Sequence, residues 1–471
     1  MSSNRKGNSV ARIKTGSFER RLSLTRAGLF AGTRIASHMA TNWFSGKEKR
    51  EERHSAMMSS QAQLLVDELG SLKGSVVKIG QVMALYGEHF LPDEVTKALH
   101  TLEDQTTSLE WSAIERVLKE ELGTDRLNQL EVDPEPIGAA SLGQVHRARR
   151  KSDGLELVLK VQYPGVDKAV DSDLNSVAHL LKIARLVSFG PEFKDWLEEV
   201  RNMMHREVDY GLEAQTTERF RQMLKDDPRF VVPRVLNEYC TAHVIASTFE
   251  RGHSVSAPAV RELSLERRSA LGKASLELFF RELFVWSEIQ TDPNFGNYRI
   301  RIAGESGADD EHDQIVLLDF GAVQAYSPEF LDPVIQMIRA SYEGDLSGVV
   351  DGGIILNFMS SDWPDEVLDK FGSVCMSVLE PLSPNQSEWP DYAVNDNGKY
   401  RWKQSDLPSR VARQAARSAI SRYFKVPPKE FVFLNRKLIG VYTFIAVLHA
   451  EFNGEPLLKT YLYGDPGAPA A

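Results

Sequence analysis

Asp292-Pro293-Asn294-Phe295-Gly296-Asn297 and Ile315-Val316-Leu317-Leu318-Asp319-Phe320-Gly321, whose aspartates stand 27 residues apart, are the stretches that decide how this 471-residue chain folds. In the second, four apolar residues read as a buried strand; Asp319 is delivered at its end, where Gly321 can turn the chain. In the first, a carboxylate and a carboxamide stand five apart on a loop shaped by Pro293 and Gly296. Phosphoryl transfer needs such a set: one aspartate to orient or deprotonate the nucleophile, and an asparagine and a second aspartate as oxygen ligands for a divalent cation. Either segment alone is an ordinary turn; the residues that accompany them decide between turn and site.

Working outward, Leu155 to Val161 alternates, with Leu155, Leu157, Leu159 and Val161 on one face and Val158 and Lys160 on the other. A Ser-Asp-Gly turn at Ser152 to Gly154 joins this strand to Ala139–Ala148 in an expected β-hairpin. A strand lysine is usually a solvated edge residue, but Lys160 is also the cation that nucleotide phosphates require. Its expected partner is Glu213, within Glu207-Val208-Asp209-Tyr210-Gly211-Leu212-Glu213. On a regular helix Asp209 and Glu213 share a face, with Glu207 about 200° from Asp209. Lys160, Glu213, Asp292, Asn297 and Asp319 follow one another in the chain order of a kinase.

The rest of the chain sets limits. Leu65, Leu69, Leu72, Val76, Ile79 and Met83 form the stripe of an amphipathic helix that carries Lys78 and Gln81. Helices are expected over Asp93–Leu102, Trp111–Leu122, residues 171–225 and Leu263–Val285, short strands over Val231–Phe249, and mainly helix to Leu458. Two cysteines, Cys240 and Cys375, exclude a disulfide framework and fit a reducing compartment. No His spacing supports a metalloenzyme of the zinc type, and the apolar run Leu438–Ala450 is too short to cross a bilayer.

The net charge is −10, but residues 1–50 hold eleven Lys and Arg against two Glu, leaving −19 for the remainder. A basic arm before an acidic body suits an anionic membrane surface or a partner, and argues against nucleic-acid binding by the body. Gly28 and Gly32 stand four apart within this arm. An acidic-poor start bearing Arg and Ser also fits a mitochondrial transit peptide; without one, a cytoplasmic protein peripheral to a membrane is expected.

The chain resembles the UbiB (AarF-like) family of atypical kinases, associated with coenzyme Q biosynthesis and related lipid metabolism, over residues 60 to 450. The resemblance is carried by Lys78-Ile79-Gly80-Gln81, similar to the K-x-G-Q motif, and by Gly138-Ala139-Ala140-Ser141, similar to the alanine-rich loop. Lys160-Val161-Gln162-Tyr163-Pro164, the E-x-D motif Glu207-Val208-Asp209 and Asp319-Phe320-Gly321 complete it. It implies an α+β, two-lobed protein-kinase-like fold with an N-terminal helical extension and a mainly helical C-terminal lobe. The divisions expected are a basic arm (1–55), the extension (56–135), an N-lobe (136–250), a C-lobe (251–460) and a flexible tail (461–471).

The implied activity is that of a Mg-ATP (or ADP) dependent atypical kinase or ATPase serving lipid or quinone metabolism. Lys160 would pair with phosphates and Glu213, Gly138 to Ser141 would cover the phosphates, Asn297 and Asp319 would hold Mg, and Asp292 would act on the acceptor. Lys78 and Gln81 would meet Glu207 and Asp209 and obstruct a protein substrate. Three positions depart from the family: Gly138 in place of its usual first alanine, Asn294-Phe295 in place of His-Pro, and the family's usual acidic residue near Thr248 missing from the expected hinge Val244–Glu250. The alternatives are a nucleotide-dependent scaffold or lipid-extraction chaperone with little phosphotransfer and, ranked last, a conventional protein kinase.

Overall fold

Alternating strands flanked by helical stripes build the first part of the molecule, and helical stripes dominate the second. The computed structural model describes residues 75–86, 91, 95–96, 99, 108–140, 142–183, 190–305, 311–419 and 428–464. The basic arm with Gly28 and Gly32, the start of the Leu65–Met83 stripe, most of Asp93–Leu102, Ser141 and the side chains of Gln81 and Ala140 lie outside the described residues. Chain contacts divide the protein into two units, the first running to Gln215 and resuming over Arg234–Phe249, the second made of Thr216–Pro233 and everything from Glu250 onward.

In the first unit, α1 (Ser75–Tyr86) and α2 (Trp111–Leu127) precede β1 (Leu130–Ala140), β2 (Gly143–Arg150) and β3 (Glu156–Gln162), followed by α3 (Val166–Ile183) and α4 (Pro191–Val208). α5 (Tyr210–Met223) then leads to β4 (Phe230–Val231) of the second unit, and β5 (Val244–Thr248) returns to the first. The antiparallel sheet runs β1-β2-β3-β5, and Lys160 sits between Val145 and Ile245 in its register. Leu157, Leu159 and Val161 are wholly buried in one core with Val76, Ile79 and Met83 of α1 and Val170 and Leu174 of α3. At about 25 cal/mol per Å2 of apolar surface, those side chains supply most of what holds sheet and helices together.

The second unit contains the sheet β4-β8-β7, with β7 (Tyr298–Arg301) antiparallel and β4 parallel to β8 (Gln314–Leu317). A two-stranded ribbon pairs β6 (Glu288–Gln290) with β9 (Val323–Ala325). Two helices matter for the site: α6 (Leu265–Phe280), capped by the Ser264 hydroxyl that accepts from the Arg267 amide, and α7 (Lys429–Val447), which packs against it. α7 buries Phe433, Leu434, Lys437, Leu438, Val441, Tyr442, Phe444 and Ile445, a helical stripe with one lysine inside it.

Several expectations need correction. Strand β1 begins at Leu130 rather than in a lobe starting at 136, because Leu130 to Val132 already pair with Arg150 to Ala148. Residues 216–233 belong to the second unit, where β4 pairs with β8 and Phe220 stacks on Phe320. Helix formation expected through Val285 ends as α-helix at Phe280 and passes into a π-turn over Arg281–Trp286. A last helix over Glu455–Tyr463 extends into the segment expected to be a tail from 461.

Candidate active site

The first unit presents a lysine held by a glutamate. Lys160 Nζ donates to both oxygens of Glu213, at 2.6 and 2.8 Å, and lies 5.3 Å from the Tyr210 ring centre. The two side chains are 19% and 9% exposed, so each ion has lost much of its water and depends on the other. A Cβ on Gly143 would stand 2.5 Å from the Val161 carbonyl oxygen and 2.6 Å from the Tyr210 hydroxyl. Only glycine lets β2 and Tyr210 come this close beside Lys160.

Asp209 does not share a helix face with Glu213. The backbone leaves the helix at Asp209, which ends α4 and caps α5: its Oδ1 accepts from the Leu212 amide at 2.9 Å, and its carbonyl from the Glu213 amide at 3.1 Å. An aspartate at this position satisfies an amide that the helix start leaves open. The E-x-D pair is therefore split between two jobs, since Glu207 on α4 forms an ion pair with Lys78 of α1 at 2.8 Å. Gln81 lies one turn further along α1.

The expected phosphate-covering loop is strand for most of its length. Gly138, Ala139 and Ala140 pair with Val145, Gln144 and Gly143, so they form the tip of the β1-β2 hairpin. A Cβ at Gly138 would meet nothing within 4 Å, so packing does not require glycine there. In the expected hinge, Thr248 is tied to Arg234 through its backbone amide and its hydroxyl, each at 3.0 Å.

The second unit assembles the acidic residues. Asn297 Nδ2 donates to Asp292 Oδ2 at 2.9 Å, and the Asn294 and Gly296 amides donate to the Asp292 and Asn294 side chains in successive tight turns. Asn297 ends this loop at the start of β7, and its carbonyl accepts from the Leu318 amide at 2.9 Å, which sets it beside Asp319. Asp319 Oδ1 accepts from the Gly321 amide at 2.9 Å, while buried Phe320 packs on Phe220 at a 4.9 Å ring separation. The buried aromatic ring anchors the turn that holds the carboxylate.

Two residues that sequence reasoning did not single out complete this arrangement. Gln290 accepts from the Asp292 amide at 3.0 Å and donates to the Asp319 carbonyl at 2.6 Å, so one buried carboxamide ties the two acidic segments together. Arg436 of α7 brings a guanidinium to 3.8 Å from Asp292 Oδ1. The position of Gln290 two residues before Asp292 was visible, but nothing in its neighbourhood showed what it bridges.

A sheet-borne lysine paired with a helical glutamate, and an Asp-x4-Asn loop beside an Asp-Phe-Gly strand end, define a protein of the kinase-like class. The chain belongs to the ABC1 atypical kinase-like family, whose domain matches residues 101–352. The mitochondrial atypical kinase coq-8 of Caenorhabditis elegans is 27% identical over 430 residues, covering 90% of this chain and 54% of the worm protein. Rattus norvegicus COQ8B is 28% identical over 408 residues (86% of this chain, 72% of that one), and Schizosaccharomyces pombe COQ8 is 29% identical over 401 (85% and 62%). The chain thus spans about half the length of the worm relative. A Mycobacterium tuberculosis protein solved in complex with erythromycin matches with a TM-score of 0.55 at 22% identity, covering 89% of this chain and 100% of that one, which shows the α+β kinase-like fold.

Proposed function

We propose that this chain is an atypical kinase or ATPase that binds Mg-ATP and acts on or supports lipid or isoprenoid-quinone metabolism at a membrane surface. The observation that carries the reading is the Lys160–Glu213 pair at 2.6 Å, the device that keeps a phosphate-binding lysine extended and charged. Asn297 and Asp319, on segments joined by the bond from the Leu318 amide to the Asn297 carbonyl, carry hard oxygen donors of the type that suits Mg, which takes one or two protein oxygens and completes its shell with phosphates and water. The cation would neutralise charge on the transferred phosphoryl group. Asp292, held by Asn297, would orient or deprotonate the acceptor hydroxyl or water.

Quinone metabolism and a mitochondrial setting are supported by the COQ8 relatives and by the UbiB motifs. Action at a surface is supported by the basic residues 1–50, and among the described residues no helix is long and apolar enough to cross a membrane. The test is Mg-dependent ATP hydrolysis by folded protein, with and without cardiolipin-containing liposomes. We expect turnover that rises with liposomes and falls by about 10³-fold in Asp319→Asn. Absence of turnover in both conditions overturns the reading.

The Lys78–Glu207 ion pair favours a second reading, a nucleotide-dependent scaffold or lipid-extraction chaperone in which Lys78, Gln81, Glu207 and Asp209 restrict access by a protein substrate. In that case Asp292→Asn keeps partner binding and biological activity. Loss of both with nucleotide affinity intact counts against it.

A further inference from the structure

Beneath the Asp292–Asn297 loop lies an ion pair that the proposed chemistry does not use. Lys437 Nζ of α7 is 3.0 Å from Glu282 Oε2 in the π-turn after α6, and the side chains are 4% and 2% exposed. Burying two charges costs several kcal/mol per ion, and a well-packed apolar pair of similar volume is often as stable or more so. Overall stability therefore does not explain why these two ions are here.

Their neighbours offer an explanation. The π-turn that carries Glu282 packs against β6, whose Gln290 side chain bridges Asp292 and Asp319. Lys437 hydrogen-bonds the hydroxyl of Tyr298, the residue directly after Asn297. Tyr298 also packs on Phe444 of α7, with ring centres 5.5 Å apart. Gly440 of the same helix lies so close to the loop that a Cβ there would stand 2.3 Å from that of Pro293. Through the π-turn and α7 the ion pair thus reaches both ends of the loop, Gln290 on entry and Tyr298 on exit. It is supplied partly by a π-turn, a distortion found more often at functional sites than elsewhere.

We infer that Glu282 and Lys437 are positioning residues, whose buried pairing sets the separation of Asp292, Asn297 and Asp319 by fixing Gln290 and Tyr298. The inference rests on the reading of those three residues as the phosphotransfer site. Burial works against the Lys437 charge, but Glu282 and Tyr298 more than offset it and raise the ammonium's pKa. At Glu282 burial likewise works against the charge and raises the carboxyl's pKa, with Lys437 offsetting it only in part.

The test uses the full chain with both charges removed together, Glu282→Leu/Lys437→Met, because a single removal strands a buried ion. Two readouts are taken: hydrogen exchange of the amides over residues 290–298, and the kcat and KM of ATP hydrolysis. Loss of placement is expected to speed loop exchange by about tenfold and lower kcat by about 10²-fold, with KM changing less than about threefold. Wild-type exchange in the loop overturns the inference whatever the turnover; so does faster exchange with undiminished kcat. Faster exchange in a protein whose wild type hydrolyses no ATP upholds the positioning and rejects the proposed function instead. If the double variant does not fold, Tyr298→Phe decides: it keeps the ring and deletes one hydroxyl. A kcat lowered by about threefold or more with faster exchange at Asn297–Tyr298 supports the inference, and wild-type values overturn it.

Discussion

The two units hold their polar residues by opposite means. In the first, Lys160 is fixed by a side chain 53 residues away, across a strand-to-helix junction whose spacing depends on Gly143 and on the Asp209 break. In the second, Asp292, Asn294 and Asp319 are fixed mainly by bonds between residues two to five apart: Asn294 to Asp292, Gly296 to Asn294, Asn297 to Asp292 and Gly321 to Asp319. The lesson is that a local turn carries its geometry in its own sequence, whereas a salt bridge between elements exists only after the core has formed.

Among the changes that test this contrast, Glu213→Gln is expected to have the largest effect. It leaves Lys160 largely buried with half its partner's charge-assisted bonds gone, so ATP hydrolysis should drop by about 10²-fold and the first unit should lose about 2 kcal/mol. Denaturant unfolding and steady-state kinetics check both. Unchanged kinetics would mean that the lysine needs no tether, and the contrast between the units would fail.

A smaller effect separates two glycines on one hairpin. Gly143→Ala forces a methyl into the Val161 carbonyl and should cost about 1–3 kcal/mol, while Gly138→Ala, with nothing within 4 Å, should stay within about 0.5 kcal/mol. Thermal unfolding of the two variants sharpens the comparison. An equal cost would show that the hairpin tip is packed more tightly than its neighbours indicate.

The smallest expected effect is a pH dependence confined to the first unit. His243 sits 2.7 Å from Glu121 and 3.5 Å from Asp167. Burial works against its charge, but the two carboxylates more than offset this and raise its pKa above the ordinary imidazole value. A raised folded pKa means the stabilisation is complete below about pH 6.5 and is lost as pH rises through the folded value. Comparing wild type with Glu121→Gln, the stability gap should therefore be larger at about pH 6 than at about pH 8.5, and below about 1 kcal/mol because solvent screens the pair. A gap that widens with pH would contradict this.

Much of the candidate site's local geometry could be read in advance, and what was legible follows the same physics. Asp292, Asn297 and Asp319 announce themselves because proline, glycine and a strand end constrain the backbone within a few residues. Lys160 could be assigned to the face opposite the apolar one because alternation in a strand is a local property. Asp209 was misjudged because a helix break inside an otherwise helical pattern depends on which side chain caps the next turn. Ala139 and Ala140 were assigned to the same strand as Val145 to Ala148, yet they lie on β1 and pair with β2, since where one strand ends and the next begins depends on the pairing rather than on the segment alone.

The sequence by itself determined the kinase-like order of the candidate residues, the alternating sheet, the helical stripes and the acidic turns, because each follows from backbone preferences and periodicity over short spans. Only the tertiary structure decided that Gln290 bridges Asp292 and Asp319, that Lys78 meets Glu207, and that Glu282 and Lys437 are buried together under the loop. Apart from Gln290 to Asp292, two positions apart, those contacts join residues 29 to 155 positions apart. Such pairings require loop closure and a shared low-dielectric core before they gain anything, and no local pattern encodes which distant groups will share it.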